Sequence, residues 1–184
     1  LYHGAPPPAS FGTLIDRGNV LSLGSFAKIL APGLRLGWIQ ASTELMRTLT
    51  ASGVLVSGGN FNHFTSHIVR QLMENGELAP FVARLRVSYA ARAEAMDQAL
   101  RQHLSGLARW TKPGGGYFFW LELPAAVDAA SLQDAARAAG TGFLAGTACS
   151  TSGGLKNCLR LSFAHYSVPD IHEGIARLGR ALAR

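Results

Sequence analysis

The sequence predicts an α/β fold, and three observations carry that expectation. Short apolar runs bounded by glycine and proline read as strands. Segments whose apolar residues recur at three- and four-residue steps read as helices, and the two kinds alternate along the chain. One helix near the middle is far longer than the rest, and the texture changes beyond it. That change places a boundary within residues 88–105, dividing the chain into lobes 1–88 and 89–184.

The first nineteen residues, with Pro6, Pro7 and Pro8 in succession, read as a surface loop. Val20 to Leu23 is a short apolar run ending at Gly24, a candidate buried strand. Ser25 to Gly33 is a turn-prone link, because Pro32-Gly33 forbids a helix through it. Leu34 to Ala41 returns to strand character, and Ser42 or Thr43 can cap the helix that follows. Ser57-Gly58-Gly59-Asn60 breaks the chain again.

A helix is expected from Thr65 to Glu74, closed by Asn75-Gly76. A longer one runs from Ala79 to Leu104, with Pro80 tolerated in its first turn. Val82, Leu85, Tyr89, Ala93, Met96 and Leu100 give it a single apolar stripe. At 1.5 Å per residue it would extend about 38 Å, enough to link two lobes. Ala108–Lys112 and Tyr117–Leu123 are expected strands joined by Pro113-Gly114-Gly115-Gly116. Ser131 is expected to cap a helix ending at Gly140. Leu159–Phe163 is a further strand and Pro169–Leu182 a terminal helix.

Composition narrows the class. The chain has 184 residues, 48% of them hydrophobic and 15% charged, which excludes intrinsic disorder. No apolar run approaches the roughly 18 residues of a membrane span. The net charge of +6 invites nucleic acid as a partner, but the cations are scattered and no run of five occurs. A solvated helix face is the better reading of Arg84, Arg86 and Arg92, and no nucleic-acid partner is expected. Cys149 and Cys158 lack metal-ligand spacing and form no disulfide framework, so a reducing cytoplasm is expected. His63, His67 and His103 show no metal-ligand pattern either. Trp38, Trp110 and Trp120 are expected in the core. Gly114–Gly116 is read as a tight turn, because no helix follows to make it a phosphate cradle.

Lys28 stands out among only three lysines. It follows a strand directly and lies between Ala27 and Ile29-Leu30, an apolar setting in which an ammonium needs a partner. It is either a snorkelling lysine or one activated to form a Schiff base. Ser25 lies three residues before it and Arg35 seven after. A hydroxyl, a guanidinium fork and a reactive amine at one strand end suit an anionic cofactor.

The run Gly24-Ser25-Phe26-Ala27-Lys28-Ile29-Leu30-Ala31-Pro32-Gly33-Leu34-Arg35-Leu36-Gly37-Trp38 resembles the pyridoxal-phosphate lysine motif of class I/II aminotransferases of fold type I. Three further stretches agree. Ser57 to Ser66 is similar to the glycine-rich stretch of the 2-aminoadipate aminotransferase-like branch. Pro113 to Pro124 and Asn157 to Ala164 resemble two strands of the family's small domain.

The resemblance implies an end of the large cofactor domain over 1–88, then a bridging helix and a small C-terminal α/β domain over 89–184. It implies pyridoxal 5'-phosphate as cofactor and an amino acid and a 2-oxo acid as substrates, in a homodimer. Lys28 would hold the cofactor as a Schiff base and then act as general base. Ser25 and Arg35 would bind its phosphate, and Arg160 would clamp the substrate α-carboxylate. No metal is implied.

The sequence departs from the pattern where the usual serine before the lysine is Ala27, which removes one phosphate hydroxyl. The family's pyridine-nitrogen aspartate, its phenol-bearing tyrosine, the stacking aromatic and the first phosphate loop have no counterparts here. The chain is therefore expected to be a C-terminal fragment that binds the cofactor poorly alone. The branch resemblance favours 2-aminoadipate, aromatic or branched-chain substrates. Two rival readings use the same scaffold: the effector-sensing domain of a winged-helix transcriptional regulator, and a pyridoxal-phosphate lyase.

Overall fold

A computed structural model describes residues 1–58 and 61–183. It divides into two compact units: one of Leu1 with Pro6–Leu85, the other of Tyr2–Ala5 with Arg86–Arg184.

The first unit is built on a two-stranded antiparallel ribbon, β1 (Ser22–Ser25) and β2 (Gly37–Gln40). Its register pairs Ser22 with Gln40, Leu23 with Ile39, Gly24 with Trp38 and Ser25 with Gly37. Glycine is required at 24, since a Cβ there would lie 2.0 Å from the Trp38 indole. A 3-10 helix over Phe11–Arg17 interrupts the segment expected to be loop throughout. It forms because the Ser10 hydroxyl accepts from the Gly12 amide, a local cap that proline counting overlooks.

Three helices follow: α1 (Thr43–Thr50), α2 (Gly53–Gly58) and α3 (His63–Glu74). Ser42 caps α1 by accepting from the Leu45 amide. In the expected break at 57–60, α2 ends on Gly58, and Gly59 and Asn60 lie outside the described residues. Gly76 takes φ +72° after α3, the left-handed turn glycine permits.

The long helix α4 (Leu78–Leu104) passes through the division between the units. In the second unit it packs with β3 (Arg109–Trp110), β4 (Phe118–Glu122), α5 (Gln133–Ala138), β5 (Leu144–Ala145), β6 (Cys158–Ser162) and α6 (Val168–Leu182). The sheet is antiparallel in the order β3-β4-β6-β5. Side chains alternate across it. Phe119, Leu121, Leu159 and Leu161 face inward and join Ala93, Met96, Leu100 and Leu104 of α4 and Ile171, Ile175 and Leu178 of α6 in one core. Phe118, Trp120 and Arg160 take the opposite face.

Three further expectations need correction. The strand expected buried at Val20–Leu23 lies at Ser22–Ser25, and Leu23 in it is largely exposed because the ribbon has only two strands. Asp128, not Ser131, starts the helical segment after β4, accepting from the Ala130 amide. A 3-10 turn over Ala129–Leu132 then leads into α5, so Ser131 sits inside the turn. The tryptophans are also less buried than expected. Trp38 is 37% exposed on a ribbon with little above it, and Trp110 and Trp120 are half-buried.

A polar group in the core was not foreseen. Asp97 of α4 is 5% exposed and accepts from the Trp110 indole at 2.8 Å and from Arg101 Nε at 2.9 Å. Burial alone would raise its carboxyl pKa, but these two donors and the nearby cations outweigh it, so the pKa lies below the usual value. The segment Tyr2–Ala5 forms a strap on this unit. His3 and Gly4 donate to the Gly114 carbonyl at 3.0 and 2.8 Å, and Tyr2 bridges Gly115. Arg86 fixes it by donating to the Tyr2 carbonyl and stacking over the Tyr2 ring at 3.6 Å. The Gly114–Gly116 loop thus serves as a docking turn.

Candidate active site

Ser25, Lys28 and Arg35 gather at one end of the β1–β2 ribbon. Ser25 and Gly37 form its last strand pair, and the loop 26–36 closes that end. Phe26 anchors the loop. Its amide donates to Leu36 O at 3.0 Å, prolonging the ladder, and its carbonyl accepts from Leu30 N at 2.9 Å and Ala31 N at 3.2 Å. The Phe26 ring is buried against Trp38, with centroids 4.7 Å apart. A turn tied down at its first residue holds Lys28, two residues on, at the exposed side.

Arg35 adopts φ +49°, left-handed backbone that a non-glycine residue occupies at a cost of roughly 1–3 kcal/mol. Asn62 offsets it. The Asn62 amide donates to Leu34 O at 2.7 Å and to Arg35 O at 3.2 Å, and makes no cap for α3, which it precedes. Gly37 matters as well, since a Cβ there would sit 2.7 Å from the Gly24 carbonyl oxygen. Asn62 was not singled out from the sequence. Its signal is the break before α3, where a residue that skips its own helix cap is free to serve another segment.

The loop that closes this end carries charge of one sign. Loop 26–36 contains no acid and two cations, Lys28 and Arg35. The Ser25 hydroxyl accepts from the Ala27 amide at 3.2 Å, which leaves its own proton to donate outward. Among the described residues Arg35 Nη1 makes a 3.4 Å contact to Pro32 O and no ion pair. Donors and positive charge at an open loop suit a phosphate dianion.

Arg160 lies in the other unit, on β6, paired across the sheet with Trp120 and Leu144. Its guanidinium rests over the Phe118 ring, 4.0 Å from the centroid. Among the described residues it has no carboxylate partner, whereas Arg70, Arg101, Arg137 and Arg177 each hold one at 2.7–2.9 Å. A half-buried guanidinium with open donors at a strand is the donor set a carboxylate needs. Among the described residues no group of three histidines, cysteines or acids lies together as metal ligands would.

Comparison with known proteins bears on this arrangement. The family model described as aminotransferase class I and II matches residues 2–178. The chain belongs to that family. Class I/II aminotransferases are pyridoxal-phosphate enzymes of fold type I, and the α/β architecture agrees with them. The aromatic-amino-acid aminotransferase 1 of Thermococcus litoralis is 35% identical over 91% of this chain and 40% of its own length. The structure of LysN, the α-aminoadipate aminotransferase of Thermus thermophilus, complexed with N-(5'-phosphopyridoxyl)-L-leucine, superposes with a TM-score of 0.88 at 34% identity. It covers 100% of this chain and 47% of LysN. The HTH-type transcriptional regulator YdfD of Bacillus subtilis is 30% identical over 94% of this chain and 35% of its own length. The chain thus spans less than half the length of each of these proteins.

Proposed function

We propose that the protein containing this chain is a pyridoxal-phosphate-dependent aminotransferase that moves an amino group between an amino acid and a 2-oxo acid. The observation that carries this is the gathering of Ser25, Lys28 and Arg35 at one end of the β1–β2 ribbon, on a loop whose sequence from 26 to 36 holds two cations and no acid. The donor set fits the cofactor, so Lys28 would hold it covalently through Nζ, and Ser25 and Arg35 would bind its phosphate. When bound, pyridoxal phosphate supplies an aldehyde for the amino group and a conjugated ring that takes up the electron pair of the substrate α-carbon.

The remaining work falls to this chain's side chains. Lys28 Nζ, released from its covalent role, is the base that takes the α-proton and returns it. Its turn sets where that amine stands, because Phe26 fixes both the entry and the exit of the turn. Arg160 holds the substrate carboxylate in a two-pronged pair, which settles which α-carbon bond is presented for cleavage. Among the described residues the Arg160 guanidinium has no carboxylate partner, which supports that role. The active form is a homodimer in the cytoplasm; the unpaired thiols of Cys149 and Cys158 are compatible with a reducing compartment, and no described helix is long and apolar enough to cross a membrane.

The test is Lys28→Ala in the full-length protein. The borohydride-reducible cofactor adduct should disappear, and transamination should fall by about 10²–10⁴-fold. An adduct that persists at the same site would remove Lys28 from its role. The likeness to YdfD keeps one other reading alive, an effector-sensing domain of a regulator. That reading requires a full-length protein that binds DNA and turns over no amino donor.

A further inference from the structure

Two kinds of arginine contact in this chain contrast. Arg70, Arg101, Arg137 and Arg177 are held by acids on their own helices, three or four residues away. An acid partner fixes a guanidinium but occupies its in-plane donors and cancels its charge. Arg160 is held differently. Phe118 lies on the same face of the sheet, one strand over and two residues from Trp120, the Cα partner of Arg160. The central carbon of the Arg160 guanidinium stands over its ring, 4.0 Å from the centroid. Stacking uses the π-face and leaves the edge donors and the charge available. Phe118 is 39% exposed, although its strand neighbours Phe119 and Leu121 are fully buried. Core packing therefore does not account for an aromatic side chain there.

We infer that Phe118 is a positioning residue for Arg160: its ring orients the guanidinium for two-pronged binding of a carboxylate without neutralising it. The inference rests on the reading of Arg160 as the carboxylate clamp. It adds a residue whose part is argued from its contact with the arginine. Four rotatable bonds separate the guanidinium from the β6 backbone, and a ring against it removes much of that freedom before the ligand arrives.

The experiment uses the full-length protein loaded with cofactor, with acetate as the carboxylate probe and acetamide as the uncharged control. The readout is the Nε–Hε resonance of Arg160 in nitrogen-edited NMR, assigned by its loss in Arg160→Lys. In the parent the resonance should carry a ring-current offset and shift saturably with acetate, not with acetamide. In Phe118→Leu the offset should vanish and acetate should bind about fivefold more weakly. Phe118→Tyr should restore both. Phe118→Met, which keeps the volume without the ring, replaces the leucine variant if that one melts early.

Acetate binding unchanged in the leucine and methionine variants would overturn the role of Phe118 while leaving the clamp intact. A parent resonance indifferent to acetate would overturn the clamp, and Phe118's role with it.

Discussion

The two units of this chain bury their apolar residues to very different degrees. The second unit closes a core of fully buried side chains, among them Phe119, Phe163, Leu100, Leu121 and Leu159. The first unit, which carries Lys28, buries only Phe26 and Val69 among its large apolar residues. It leaves Leu23 at 76%, Val56 at 72%, Phe61 at 81% and Phe64 at 78% exposed. Large apolar side chains left in solvent add little to folding stability. The unit with Arg160 is held by its own packing; the unit with Lys28 draws little stability from within this chain.

Mutations should separate the two. The largest effect is expected from Phe119→Ala, which empties a fully buried site and should cost about 3–5 kcal/mol in chemical denaturation. A smaller loss, about 1–3 kcal/mol, should follow Trp110→Phe, which leaves the buried Asp97 carboxylate without its indole donor. Its sign with pH is fixed by the depressed pKa of Asp97. The stability that Asp97 contributes is complete above the unfolded carboxyl value and is lost as pH falls through the folded one. The gap between parent and Trp110→Phe should therefore narrow below about pH 4 in acid titration of the unfolding midpoint.

Leu23→Ala in the ribbon should fall within about 0.5 kcal/mol of the parent in this chain, because the side chain is already in solvent. A loss as large as that of Phe119→Ala would end the contrast between the units. The mildest probe is chemical. Cys149 is exposed and should react with an alkylating reagent in the folded chain. Cys158 is buried, with its thiol pKa pushed up by that burial, and should react only on unfolding, as mass spectrometry of timed samples would reveal.

Legibility in the sequence followed the same division of causes. Local signals worked where the outcome is local: Ser42 before α1, Asn75-Gly76 after α3, and the stripe on α4 all reflect interactions within a few residues. The lysine loop was legible because its turn chemistry is written consecutively, from Gly24 to Trp38. Asp97 was not. A carboxylate inside an apolar stripe reads as an exposed position until Trp110, thirteen residues away, is known to donate to it. Asn62 supporting Arg35, and Phe118 under Arg160, were hidden for the same reason, since each contact joins distant segments through tertiary packing. The two-residue β5 is too short to carry a periodic signal, and only its pairing with β6 defines it.

The strap has a kinetic meaning. Tyr2–Ala5 belongs to the same unit as the residues from Arg86 onward, and the Arg86–Tyr2 bond closes a separation of 84 residues. That unit is discontinuous along the chain, so a ribosome releases its first few residues long before the glycine turn that receives them. Closing so long a loop carries a high entropic toll, and contacts of such sequence separation slow folding. The sheet and its helices can assemble from contiguous chain, while the strap has to wait; it is a late clasp on a body already formed. Its interactions belong to the barrier against unfolding more than to the speed of folding.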